Sequence, residues 1–325
     1  MNKVLKYSKG ITLTALTVTI VLLLILSGIS IGILSGNFNI VNKTEEAVVL
    51  TEIGQIKDFL SVTLNYEEKV SGKLSDLTSL DIPQNLITKY NDLLYIKDNE
   101  VYLSYIAGFP KSPKYISNKK ILEILNDHLE ICYDSLKSYN KLQNPYFDDG
   151  LNNCTLRSTT GNITEIRNEN GNNYLHIEMH LSSGNTQWVR CGNTKVADDY
   201  EDLCYSFVRY RNSYVPAENN FVINNDIIVL SRYGRGFDTI LLNKKTFINS
   251  YNSGWNYVSN IRKINSKTKN LGLQFSLGGG PANGQKQEYS VDFDDLYILN
   301  LTELFGAGGE PSQKEMDNIF TTKFS

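Results

Sequence analysis

The spacing of apolar positions changes twice along this chain, and each spacing predicts a different element. Ile11 to Leu34 is an uncharged, mostly apolar run, roughly 36 Å of helix at about 1.5 Å per residue and long enough to cross a bilayer core of about 30 Å. Val49, Ile53, Ile56, Leu60 and Leu64 then follow a helical period, with Glu45, Glu52, Lys57 and Asp58 on other faces. That pattern predicts one amphipathic face on a continuing helix. A single long N-terminal helix over residues 11–65 is therefore expected, with residues 11–34 in lipid. Gly28, Gly32 and Gly36 recur every four residues. Such a stripe lets another helix approach closely in lipid, although glycine is also simply common in membrane helices.

Residues 66–145 read as a small α+β region. Leu93–Ile96 and Val101–Tyr105 flank Lys97-Asp98-Asn99-Glu100 as a hairpin. Phe109-Pro110-Lys111-Ser112-Pro113 breaks regular structure, and Ile121, Leu122, Ile124, Leu125 and Leu129 predict a short helix. This region is expected to pack against the long helix. From residue 146 to 325 the period becomes two. Leu175, Ile177, Met179 and Leu181 alternate with His176, Glu178 and His180, and Leu271, Leu273, Phe275 and Leu277 with Gly272, Gln274 and Ser276. Short strands at regular spacing predict an antiparallel β-sandwich, in its jelly-roll form. Ser312-Gln313-Lys314-Glu315 reads as a capping box opening a last helix, in which Met316, Ile319 and Phe320 dock back.

Charge adds orientation. Lys3, Lys6 and Lys9 in the leader, residues 1–10, have no acidic neighbour, which keeps the N-terminus cytoplasmic and the bulk of a single-pass protein extracellular. The net charge of -3 offers no basic footprint for nucleic acid. Mean hydropathy of -0.27 fits one apolar segment on an otherwise water-compatible chain. Four cysteines, Cys132, Cys154, Cys191 and Cys204, all fall in the part expected outside the cell, where disulfides are permitted. Cys191 and Cys204 are candidates to face each other across a hairpin, with buried free thiols as the alternative.

Lys9-Gly10 followed by Ile11-Thr12-Leu13, ahead of the long apolar helix, resembles the type IV pilin and pseudopilin N-terminus. The resemblance implies cleavage between Gly10 and Ile11 by a prepilin peptidase, methylation of the new N-terminus, and contact with other pilin-like subunits. Pilins usually carry Glu four residues after the first mature residue, and here that place is Ala15. The departure points to a minor, tip-type or non-filament member. At the other end, Asp294-Asp295-Leu296-Tyr297-Ile298 running into Leu301-Thr302-Glu303-Leu304-Phe305-Gly306 and Glu310-Pro311 resembles the closing strand and tail of jelly-roll modules similar to carbohydrate-binding modules and concanavalin-like sandwiches.

The candidate chemistry is that of binding. Trp188 with Arg190, and Trp255 with Asn256 and Tyr257, offer aromatic faces for sugar C–H groups beside polar side chains, or they are core aromatics. Asp292 and Asp294 share a strand face, with Asp295 on the other, and offer carboxylate oxygens to a structural Ca2+; the alternative is a solvated strand end. His176, Glu178 and His180 point to one face of their strand, which reads as the polar side of an edge strand or as a metal or acid/base group. No nucleophile elbow, zinc signature or nucleotide fingerprint occurs, and no enzyme is expected. The sequence supports a membrane-anchored, pilin-like surface protein presenting a jelly roll for adhesion or glycan recognition. The alternatives are a structural minor pilin of a type IV pilus or type II secretion-like assembly without a ligand and, more weakly, a glycan-processing enzyme.

Overall fold

The period of two beyond residue 146 becomes a sequence of strands whose alternation decides what is buried and what faces out. The computed structural model describes residues 17–23, 40–64, 68–157, 161–181, 186–195, 201–214, 227–232, 237–249, 254–263, 270–278 and 287–324. The chain divides into two compact units, residues 1–68 with 80–86 and residues 69–79 with 87–325.

In the first unit, helix α1 (Ile40–Thr63) buries Val49, Ile53, Ile56 and Leu60, four of the five positions that the spacing places on one face. Leu64 falls just past the helix end. Residues 17–23 are helical and carry exposed Val18, Ile20, Val21, Leu22 and Leu23. The leader, the Gly10-Ile11 junction and the Gly28, Gly32 and Gly36 stripe lie outside the described residues. Among the described residues, no helix is long and apolar enough to cross a membrane. Helix α2 (Gln84–Tyr90) straddles the boundary between the units.

The second unit begins with a small three-stranded sheet. Strands β1 (Leu94–Lys97) and β2 (Glu100–Ser104) pair antiparallel, and β3 (Ile131–Cys132) runs parallel to β2. The two-residue turn needs positive φ at both positions, which Asp98 (φ 50°) and Asn99 (φ 70°) supply. Helices α3 (Tyr105–Gly108), α4 (Pro113–Ser117) and α5 (Lys119–His128) complete this part. Pro113 opens α4 and the Ser112 side chain accepts from the Lys114 amide, so both signals at the break point start a helix. Ile106 and Leu136 pack with sandwich residues in one apolar cluster, so within this unit the α+β part is seated on the sandwich.

The sandwich holds β4 (Cys154–Arg157), β5 (Ile163–Glu169), β6 (Asn172–Leu181), β7 (Thr186–Lys195), β8 (Leu203–Tyr214), β9 (Ile228–Arg232), β10 (Phe237–Leu242), β11 (Trp255–Lys263), β12 (Asn270–Gly278) and β13 (Gln287–Asn300). They form two five-stranded sheets, ordered β10-β9-β12-β7-β4 and β11-β8-β13-β6-β5, with antiparallel pairing throughout. Leu175, Ile177 and Met179 of β6, the four apolar residues of β12, and Val291 and Phe293 of β13 meet in the core between the sheets. The β5–β6 hairpin turns on Asn170 and Gly171, both at positive φ. It places β6 between β13 and β5, so β6 is an interior strand and its polar row is not a sheet edge.

The cysteine pairing differs from the expected one. Cys191 on β7 stands opposite Cys154 on β4 in the ladder, and these two form the disulfide, with Cα atoms 4.1 Å apart. Cys204 sits on β8 in the other sheet as a buried thiol, because the chain crosses from one sheet to the other after β7 instead of folding back as a hairpin. Cross-linking a loop of this length removes roughly 3–4 kcal/mol of chain entropy from the unfolded state.

A β-bulge divides β13. Asp294 pairs with Arg209 and Tyr297 with Phe207, three steps on β13 against two on β8, with Asp295 in the left-handed region at φ 49°. The extra residue reverses the alternation. Before it, Val291 and Phe293 face the core; after it, Leu296 and Ile298 do. Tyr297 and Leu299 thereby turn outward, where they join Tyr205 and Phe207 of β8 under helices α7 (Leu301–Phe305) and α8 (Gln313–Phe324). Met316, Ile319 and Phe320 dock in that cluster. The capping box closes as expected, with the Ser312 hydroxyl and amide both donating to Glu315 Oε2 at 2.8 and 2.7 Å.

Candidate functional site

Beyond the bulge from the helices, the same outer face is polar. The strand registers line up Glu165 (β5), His176 (β6), Asp292 (β13), Arg211 (β8) and Trp255 (β11) as one row across all five strands. The row is linked by short bonds. His176 Nδ1 lies 2.6 Å from Asp292 Oδ1, and Arg211 donates from Nε to Asp292 Oδ2 at 2.9 Å and from Nη1 to Glu169 Oε2 at 3.0 Å. Burial works against the Arg211 cation, but its bonds to Asp292 and Glu169 outweigh it and raise its pKa above the ordinary value. Along β6, Glu178 Oε1 is 3.1 Å from His180 Nε2, and its Oε2 is 3.5 Å from His176 Nε2.

His176, Glu178, Asp292 and Arg211 border an open groove of roughly 460 Å³ that also takes in Tyr174 and Arg167. Tyr174 is the aromatic residue of that lining, and Trp255 lies next to it. Trp255 is half-buried, meets Tyr174 edge-on at 5.9 Å, and carries the Arg209 and Arg211 guanidiniums at 4.6 and 4.8 Å from its ring centroid. Tyr257, next along the outward row of β11, is 44% exposed and stacks on Phe207 at 5.6 Å. It is the aromatic of the predicted pair that keeps an open face. Trp188 and Arg190 lie on β7 in the other sheet, where Arg190 covers Trp188 at 5.4 Å and bonds Gln274. The two predicted aromatic groups therefore share no site.

The three aspartates go to three different partners. Asp292 is held by His176 and Arg211, Asp294 accepts from the Asn172 amide at 2.6 Å, and Asp295 accepts from Arg209 at 2.7 Å. Strict alternation puts Asp295 on the core side; the bulge instead brings its carboxylate to the outward-facing Arg209. Burial, with the neighbouring Asp295 charge, pushes the Asp294 carboxyl up to about 6. Among the described residues, no three His, Cys, Asp or Glu side chains converge to hold a metal ion. The alternation of β6 shows His176, Glu178 and His180 directly. The arginines Arg209 and Arg211, spaced two apart on β8, are a matching signal that sequence reasoning passed over.

No protein family matches the chain, and no curated protein matches it. Solved structures with partial likeness include the enzymatically active domain of tailspike protein 4 of bacteriophage CBA120, at 9% identity and TM-score 0.37 over 53% of this chain and 22% of that one. The match thus spans about a fifth of the tailspike domain. TmCBM61, solved with β-1,4-galactotriose, matches at 13% identity and TM-score 0.31 over 50% of this chain and 98% of its own. The CBM22-2 xylan-binding domain of Paenibacillus barcinonensis matches at 14% identity and TM-score 0.31 over 48% and 97%. The neighbours thus include carbohydrate-binding modules of β-sandwich fold.

Proposed function

We propose that the chain is a membrane-anchored, pilin-like surface protein whose sandwich binds a glycan and carries out no reaction of its own. The observation that carries the glycan reading is the row Glu165–His176–Asp292–Arg211–Trp255 along an open groove, with the exposed Tyr257 face beside it. Sugars are bound by this combination: C–H faces stack on aromatic rings, and hydroxyls bond to charged or planar groups already fixed by their neighbours. The anchoring part rests on the sequence: the Ile11–Leu34 run, the basic leader, and Gly10-Ile11 as the site for a prepilin peptidase. Gly28, Gly32 and Gly36 are the surface for neighbouring pilin-like subunits. The protein then crosses the membrane once, with its N-terminus in the cytoplasm and both distal regions outside.

A second reading, a structural pilin-like subunit without a ligand, is favoured by one observation. The Trp255 ring is already occupied by Arg209 and Arg211, as expected of a surface satisfied from within. A glycan array probed with the full chain in detergent separates the two. Binding to a defined set of sugars supports the first reading, and no binding at millimolar sugar leaves the second. Mass measurement of the membrane-extracted protein tests the anchor. A methylated Ile11 N-terminus is expected, and an intact Met1 in cells holding a prepilin peptidase overturns the processing claim.

A further inference from the structure

We infer that His176 and Glu178 form the recognition pair of this groove, and that they read a neutral sugar unit through two adjacent hydroxyls. One hydroxyl donates to His176 Nε2 and its neighbour to Glu178 Oε2. The inference rests on the glycan reading and specifies its ligand. The His176 side chain is only 4% exposed, lines the groove, and its Nε2 has no hydrogen-bond partner among the described residues. Asp292, which accepts from Arg211 on its other oxygen, is an ionised acceptor, so His176 Nδ1 must be the donor in their 2.6 Å contact. In the neutral ring that leaves Nε2 as a bare acceptor. The group nearest to it, Glu178 Oε2 at 3.5 Å, is an acceptor as well, held in place by His180 on its other oxygen. Two fixed acceptors with no donor between them call for a ligand that brings two donors side by side, which a vicinal diol does.

Charge selects among diol-bearing ligands. In the groove lining, Arg167 and Arg211 balance Glu178 and Asp292, and each arginine is bonded to a further glutamate, Glu165 or Glu169. The lining charges cancel, the two further glutamates add negative charge at the rim, and with both arginines bonded to carboxylates no free cation remains to draw in a uronate. The test is calorimetric titration of the full chain with neutral trisaccharides (galactotriose, xylotriose, cellotriose), with trigalacturonate and with fully de-N-acetylated chitotriose. It is combined with NMR of the histidine ring nitrogens. A neutral trisaccharide should bind, His176 Nε2 should move from a bare to a hydrogen-bonded acceptor signal at saturation, and Glu178→Gln should weaken binding by about tenfold or more. Preference for a charged trisaccharide, an unmoved Nε2 signal on binding, or an Nε2 already protonated in the ligand-free protein overturns this inference and leaves the glycan reading standing. If no trisaccharide of any charge binds, the glycan reading itself falls. The ring-nitrogen measurement uses the unaltered protein, so it decides even if the variant fails to fold.

Discussion

On the outer face of the β11-β8-β13-β6-β5 sheet, two ends of the same strands carry opposite chemistry. At one end Tyr205, Phe207, Tyr297 and Leu299 are buried under α7 and α8. At the other, Arg211, His176 and Asp292 line an open groove, with Arg209 over the Trp255 ring nearby. The border is the bulge at Asp294–Asp295, where one extra residue changes which side chains of β13 face out. A strand has no means of turning a greasy outer face into a polar one except by changing the residues on that side or by shifting its own phase. Here β8 does the first and β13 the second. Groove-lining and helix-covered surfaces are thereby built on one sheet.

The comparison breaks most completely if the phase of β13 is flipped. Inserting one alanine between Leu296 and Tyr297 should turn Ile298 to the outer face and drive Tyr297 and Leu299 into the core, so that no folded sandwich forms. Dispersed amide NMR signals from the insertion variant would show that the phase of β13 does not set the border. Removing the anchor of the apolar end costs less. Phe320 packs against Phe207, Tyr297, Tyr205 and Tyr133 with ring centroids 4.7 to 5.4 Å away. Phe320→Ala should therefore lose about 3–5 kcal/mol in denaturant unfolding, with ligand affinity at the polar end unchanged while the protein is folded.

The border residue itself makes stability depend on pH. The Asp294 carboxyl is raised to about 6 in the fold, above its value in the unfolded chain, so folding takes up a proton between about pH 4 and pH 6. Its stabilising contribution is complete below about pH 4 and is lost as pH rises through about 6. Asp294→Asn cannot titrate, and its stability relative to the parent should improve from about pH 4 to about pH 7 by on the order of 2–3 kcal/mol. Thermal unfolding at the two pH values checks this, and a constant difference sinks it. The smallest effect belongs to Tyr257. Tyr257→Ala, at an exposed position, should change stability by no more than about 0.5 kcal/mol while weakening glycan binding several-fold.

What could be read from the sequence was local. The capping box at Ser312 and Glu315, the hairpin around Lys97–Glu100 and the period-two rows of β6 and β12 each need only near neighbours, and each is present in the fold. What could not be read depends on which strand lies beside which. Cys191 and Cys204 suggested a pair because few residues separate them, but the chain crosses between sheets there, and the partner is Cys154 on an adjacent strand. His176, Glu178 and His180 shared a face on paper. That Asp292 and Arg211 complete their row required the order β8-β13-β6, which no local pattern encodes. Asp295 faced the wrong way on paper because a bulge leaves no signature in alternation until its far side is known.

The Cys154–Cys191 bond also decides how the molecule carries load. Tension applied between the N-terminal end of the chain and any point beyond Cys191 passes straight from one sulfur to the other. Residues 155–190, which include β5, β6 and the side chains of His176 and Glu178, form a covalent bypass that bears none of it. A pull along the chain can strip away what precedes Cys154 while β6, with its share of the groove, stays slack.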